Sequence, residues 1–258
     1  MRFVLTALFL GISSVACAQP ADPALHAHYA AYSKGLNIVD VDARLALTPH
    51  AYRLELTYRT TGLVGALVHV HGNTRVDGSF GPSRPLPREL FSNGDLRGVP
   101  HVTQIEWIKG KPTIVQMIPP IAEDDRDPVP EADQAGTVDS LSAIAEIMRD
   151  VAATGRCDGS LNTFDGRRLA DLSARTAGME DLPATSRSTF SGRALRCDFA
   201  GHQLGGFIHD VSRTELQKPQ HGSAWFASVR PGEPPIPVRF SFQTRVFGEA
   251  TAYLADDS

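Results

Sequence analysis

LNIVDVDARLALTPHAYRLELTYRT, residues 36–60, alternates twice. Val39, Val41, Ala43 and Leu45 share one parity, with Asp40, Asp42 and Arg44 between them. Tyr52, Leu54, Leu56 and Tyr58 repeat the pattern against Arg53, Glu55, Thr57 and Arg59. Successive side chains of a strand point to opposite faces, so each run is a strand with one apolar and one solvated face. Thr48-Pro49-His50 between them is turn chemistry, and the two runs form an antiparallel hairpin.

Period two dominates outward from this hairpin. Leu63 to His71 (LVGALVHVH) is apolar at nearly every position and reads as a strand covered on both faces, continued by the polar ribbon 73–79. Residues 102–109 and 113–118 flank Gly110-Lys111-Pro112 as a second hairpin. Leu195, Cys197 and Phe199 share one face, which aims Cys197 inward. Near the end Val238, Phe240, Phe242 and Thr244 alternate with Arg239, Ser241, Gln243 and Arg245, the Pro231–Pro235 turn feeds this strand, and Gly248 reads as a bulge. One segment breaks the rule. Leu141, Ile144, Ala145, Met148, Val151 and Ala152 recur at helical spacing over 139–154. Asp139 or Thr137 caps the first turn, and Gly155 fits the left-handed stop. Before it, the acidic, Pro-rich stretch 119–130 reads as an exposed loop.

The first 18 residues read as a secretory signal peptide: Arg2, an apolar run Phe3–Ile12 too short to span a bilayer, and Ala16-Cys17-Ala18 before the cut. The alternative, a lipoprotein acylated at Cys17, is disfavoured by Ser14, where such signals want an aliphatic residue. The expectation is therefore an exported, periplasmic protein with one β-rich domain over 19–258 and no transmembrane span. The formal net charge is −4, and Arg2 falls within the leader. No basic stripe marks a nucleic-acid surface.

Two cysteines remain outside the leader. Each follows an Arg and precedes an Asp, which gives neither thiol a bias towards thiolate, and no further Cys or His flanks either one. A catalytic thiol and a metal ligand are chemically open, and a Cys157–Cys197 bridge is the plainest of the three. In an exported chain such a bridge persists, and closing that loop contributes roughly 4 kcal/mol in the chain-entropy model. His69 and His71, two apart, are weak metal candidates, with His101, His202, His209 or His221 as a third ligand. Glu123, Asp124, Asp125 and Asp127 lack the alternating acceptors of a calcium loop. No nucleophile elbow or phosphate-binding glycine loop occurs. Asp165-Gly166-Arg167-Arg168 reads as a turn, with Arg167 and Arg168 opening the next strand on opposite faces. An inward-facing Arg there pairs with a carboxylate or binds an anionic group.

Several features recur together: an early Tyr32-x-x-Gly35-Leu36-x-Ile38 strand; Thr61-Gly62-Leu63 after a Tyr-rich strand; Pro119 before an Asp127-Pro128-Val129-Pro130 loop; and Thr137-x-Asp139-x-Leu141-Ser142-Ala143 opening a helix. Cys157 before Phe164-Asp165-Gly166-Arg167-Arg168, Gly192-x-Ala194-x-x-Cys197, and Pro237-Val238 before Gly248 complete the set. In this order they resemble the exported bacterial proteins grouped as the domain of unknown function 3108 family, in its cysteine-containing proteobacterial form. Ser140 and Leu169 depart from the pattern. The resemblance implies no agreed activity, and a β-rich form similar to the half-barrel of periplasmic lipoprotein and lipid carriers, where a curved sheet wraps a helix.

The expected fold is α+β, mostly antiparallel β: a strongly curved sheet or open, half β-barrel packed on the 139–154 helix and pinned by Cys157–Cys197. The expected function is non-catalytic binding of a hydrophobic or lipid-like envelope ligand in the concave face. Val64, Leu67, Val68, Phe240 and Phe242 are the candidate lining, with Arg167 and Arg168 for an anionic group. No cofactor is expected. The alternatives are an envelope assembly or scaffold protein acting through a protein partner, and a metal-dependent hydrolase built on His69 and His71.

Overall fold

The computed structural model describes residues 24–244 and 248–257; the leader reading lies outside them. Thirteen strands form one antiparallel sheet. β1 (Leu25–Ser33), β2 (Leu36–Leu47), β3 (Ala51–Thr60), β4 (Val70–Phe80), β5 (Pro85–Leu96), β6 (Val99–Ile108) and β7 (Lys111–Ile118) make one meander. β8 (Gly159–Phe164), β9 (Leu169–Leu182), β10 (Gly192–Gly205), β11 (Gln220–Ala227), β12 (Ile236–Thr244) and β13 (Gly248–Asp257) make a second. The first and last strands pair, so the order runs β7-β6-β5-β4-β3-β2-β1-β13-β12-β11-β10-β9-β8.

Laid flat, such a sheet would hold its two edges about 55–60 Å apart. They are instead neighbours. A Cβ placed on Gly166, in the β8–β9 turn, would lie 2.5 Å from Met117 of β7 and 3.4 Å from Ile105 of β6. The sheet is therefore rolled into a barrel that stays open, because β7 and β8 do not pair. Two glycines on the inner face of β4 help it curve. Gly78 and Gly72 stand opposite Tyr52 and Tyr58, and the tyrosine rings occupy the space a Cβ would need.

The seam is filled by the chain that joins the meanders. Gly136 donates to the Gly110 carbonyl at 3.3 Å, the Trp107 indole N–H donates to the Thr137 carbonyl at 2.8 Å, and Val138 pairs with β8 through Asn162 and Phe164. α3 (Ser140–Thr154) follows and lies inside the barrel, packed on β3, β4, β5 and β8. Three shorter helices, α1 (Gly62–Leu67), α2 (Glu131–Gln134) and α4 (Arg213–Leu216), lie in connections. The core joins residues of both meanders, from Ile105 and Trp107 to Phe164, Cys197 and Trp225, around Met148 and Val151 of α3.

Four expectations change. The run 63–71 is not a strand covered on both faces. α1 takes its first part, with Leu63 and Leu67 70% and 85% exposed, and β4 begins only at Val70. Among the described residues no second layer covers an outer face at this rim. The excursion is closed by the Thr60 hydroxyl, which donates to the Val68 carbonyl (2.7 Å) and accepts from the Val70 amide (3.1 Å). The Tyr32–Ile38 segment is not one strand: it spans the end of β1 and the start of β2, with Lys34 and Gly35, both at positive φ, as the turn between them. Gly248 opens β13 opposite Thr244 and is a hairpin residue, not a bulge; Arg245 lies outside the described residues. Arg167 and Arg168 stay in the β8–β9 turn, since β9 begins at Leu169. The stretch 119–130 is exposed at most of its positions, as its composition suggests, and it is also strapped down: Asp127 donates its amide to the Phe207 carbonyl (2.9 Å), and the His209 amide donates to the Asp125 carbonyl (3.2 Å).

Candidate functional site

Both ends of α3 are fixed before any cavity forms around it. At its start the buried Asp139 carboxylate accepts the Ser142 amide at 2.8 Å and the Ser142 hydroxyl, while Tyr52 of β3 donates its phenol to Ser142 Oγ at 2.7 Å. Burial pushes the Asp139 carboxyl and the Tyr52 phenol above their ordinary pKa values. At its end Gly155 takes the left-handed conformation (φ 67°), and two residues later Cys157 is bonded to Cys197 of β10. The chain-entropy argument gives about 4 kcal/mol for a bridge at this separation of 40 residues.

A helix held this way divides the interior. Leu141, Ile144 and Met148, one face of α3, close a chamber of about 490 Å³ whose other walls come from β1, β2, β3, β12 and β13. Its lining is apolar throughout: Val41, Leu54, Phe240 and Ala252 are representative, and the Tyr29 phenol turns away to donate to the Pro237 carbonyl at 2.8 Å. The opposite face of α3, with Glu146 and Ile147, lines a cleft of about 110 Å³ beside Cys157.

A second chamber, also about 490 Å³, adjoins the first along Ile144, Phe240 and Phe242. Its walls come mainly from the β8–β9 turn, β9, β10, β11 and β12, and mix apolar side chains such as Leu172, Phe199 and Leu216 with polar and charged ones. Their charges are paired within the wall. Arg168 donates to Asp165 at 2.8 Å, and the His202 ring pairs with Asp171 at 2.9 Å. The two volumes suit small-molecule sites, which span roughly 300–1,000 Å³.

The candidate residues separate accordingly. Phe240 and Phe242 line both chambers, whereas Val64, Leu67 and Val68 line neither. Val64 packs with Ala31, Ile38 and Ala250 in a small cluster at the rim. Arg167 lines neither chamber; it donates to the Pro119 carbonyl at 2.6 Å and pairs with Asp124, so its largely shielded charge is met by a carboxylate. Arg168 faces the second chamber. His69 and His71 are exposed, and among the described residues no group of three His, Cys, Asp or Glu side chains converges to hold a metal. His209 sits between Asp127 and Asp125, at 3.1 and 2.9 Å, and bonds to these two raise its pKa. Three of the four acids of that stretch, Asp124, Asp125 and Asp127, thus meet Arg126, Arg167 and His209 of the chain itself. Sequence reasoning used His202 and His221 only as possible third ligands and did not see the chamber they line. Their placement depends on the pairing of β9, β10 and β11, which no local pattern encodes.

The fold has a relative among solved structures. A beta-barrel-like protein of domain of unknown function DUF1849 from Brucella abortus superposes with a TM-score of 0.52 at 9% identity, over 91% of this chain and 97% of that one. At that identity the likeness concerns the fold alone. No curated protein matches the chain. The model of the family described as protein of unknown function (DUF3108) matches residues 28–255, nearly the whole described barrel, and the chain belongs to that family.

Proposed function

We propose that this protein is a non-catalytic binder of a hydrophobic or lipid-like ligand, working in the periplasm. One observation carries the reading: a wholly apolar chamber of about 490 Å³ inside a barrel pinned by a disulfide and a capped helix. Cores ordinarily pack to crystal density, so a chamber of this size is held open by the rigid walls rather than by loose packing. The Cys157–Cys197 bridge supports export, since disulfides persist in oxidising compartments.

The test is native mass spectrometry of protein purified from periplasmic extract, with and without Ile144→Trp, which places a bulkier ring between the chambers. The expected result is an added mass of a few hundred daltons on the wild type, removable by organic extraction and much reduced in the variant. Protein that is always bare and takes up no long-chain probe overturns the proposal. One observation favours the scaffold alternative: Leu63 and Leu67 of α1 stand exposed at the rim. Reproducible crosslinks from this rim to one envelope protein, lost in Leu67→Ser, are its expected outcome.

A further inference from the structure

The two ends of the first meander differ. At one end its β1–β2 turn, α1 segment and β5–β6 turn adjoin, joined by main-chain bonds from Thr61 to the Ile38 carbonyl (3.1 Å) and from Arg97 to the His69 carbonyl (2.9 Å). Each exposes large apolar side chains: Leu36 (50% exposed) on the first, Leu63 and Leu67 on the second, Leu96 (44%) and Val99 (47%) on the third. At the opposite end the turns are Thr48-Pro49-His50, 81–84 and Lys109-Gly110, flanked by two such residues, Leu86 and Ile108. Single exposed apolar residues are ordinary, but five on adjoining connections mark a surface that meets something. The charges there narrow what it meets. Lys34 and Arg97 stand in the turns at φ 49° and 57°, and neither has an ion-pair partner among the described residues. Asp95, the acid of these connections, accepts the Gly98 amide at 2.6 Å. Apolar side chains beside unpaired cations match the boundary of an anionic bilayer, where the first enter the acyl region and the second meet phosphates. None of the three connections carries an aromatic side chain, the usual anchor of a protein interface. Farther round the rim Glu123, Asp125 and Asp127 would be repelled by such a surface, so contact falls to the first meander. The apolar chamber reaches this same end: Ile38 and Val39 belong to its wall, and Val64 of α1 packs with Ile38 and Phe240.

We propose that the α1 end of the barrel docks on an anionic lipid surface, its five apolar side chains entering the headgroup boundary and Lys34 and Arg97 meeting phosphates. Docking of this kind sets one end of the apolar chamber against the bilayer, a route for a lipid-like ligand; that consequence rests on the ligand-binding reading, and the docking does not. The test is flotation of the purified protein with vesicles of phosphatidylcholine, alone or with about 30% phosphatidylglycerol. The wild type should float with the anionic vesicles. Leu63→Ser with Leu67→Ser should lower the partition about tenfold or more. Lys34→Gln with Arg97→Gln should lower it roughly tenfold on the anionic vesicles and leave the neutral ones unchanged. Ile108→Ser, at the opposite end, should float like the wild type, and so should Ile144→Trp, which alters the chamber and not the rim. Wild type that stays off the anionic vesicles overturns the docking and leaves the chamber reading standing. So does a loss in Ile108→Ser equal to that of the leucine pair, which would make the adhesion unspecific. A loss in Ile144→Trp overturns it too, since lipid uptake and not the rim would then hold the vesicle. Crosslinks from this rim to one envelope protein, without vesicle binding, give the surface to a protein partner instead.

Discussion

Glu146 is the residue whose chemistry is most at odds with its position. It lies on the face of α3 turned away from the apolar chamber, almost fully buried, and its Oε2 has no hydrogen-bond partner. Burial pushes its pKa up to about 7, against the pull of Arg149 and with a small push from Asp150. The sign of the consequence follows. Below the ordinary carboxyl value of 4.5 both folded and unfolded chains hold the proton and nothing is lost. Between about 4.5 and 7 the unfolded chain gives up the proton while the native chain retains it, so stability falls as pH rises through that window. Glu146→Gln keeps the shape and removes the titration. Urea midpoints measured from pH 4.5 to 7.5 should decline towards higher pH more steeply for the wild type than for this variant. Identical slopes would show that Glu146 is ionised throughout. Tyr52 offers a second check at this scale. Tyr52→Phe deletes its bond to Ser142 and leaves the Asp139 cap intact, and should cost about 0.5–1.5 kcal/mol by the same denaturation measurement.

At the scale of elements, α3 decides the architecture because it is tied at both ends. Replacing Cys157 and Cys197 by Ser frees its end from β10 and should lower stability by about 2–5 kcal/mol, read as a shifted urea midpoint under oxidising conditions. A loss under 1 kcal/mol would mean that the Asp139–Ser142–Tyr52 network alone holds the helix. This element was legible in the sequence because its signals are local: helical spacing from Leu141 to Val151, Asp139 before it and Gly155 after it. The hairpin 36–60 was legible for the same reason, and β2 and β3 pair from Val39–Thr60 to Leu47–Tyr52. α1 was not. A run as apolar as 63–71 fits a buried strand and a surface helix equally, and only the absence of a covering layer at the rim separates them. The chambers were half legible. Phe240 and Phe242 follow from alternation, whereas the wall opposite them follows from β1 pairing with β13, residues more than 200 positions apart.

At the scale of the whole molecule, an open barrel must answer for its unpaired edges, which otherwise invite other strands. Here two devices close the seam: the 136–138 segment, bonded to the β6–β7 turn and to β8, and Arg167, which draws the 119–124 stretch onto the β8–β9 turn. A Cβ on Gly206 would overlap the Arg167 carbonyl, so the same turn is also wedged against the end of β10. Asp124 sits 43 residues before Arg167, and their side chains are largely shielded from solvent, so removing the guanidinium leaves a half-buried carboxylate and a carbonyl short of a partner. Arg167→Ala should therefore loosen the seam and not the barrel wall. Hydrogen exchange should show the Asp127 and His209 amides, which tie the strap, exchanging roughly ten- to hundredfold faster. Amides of the β2–β3 hairpin should keep their protection. If protection falls uniformly across both, the clasp is part of the global folding unit. If it falls nowhere, Arg167 does not close the barrel, and the 136–138 segment alone carries the seam.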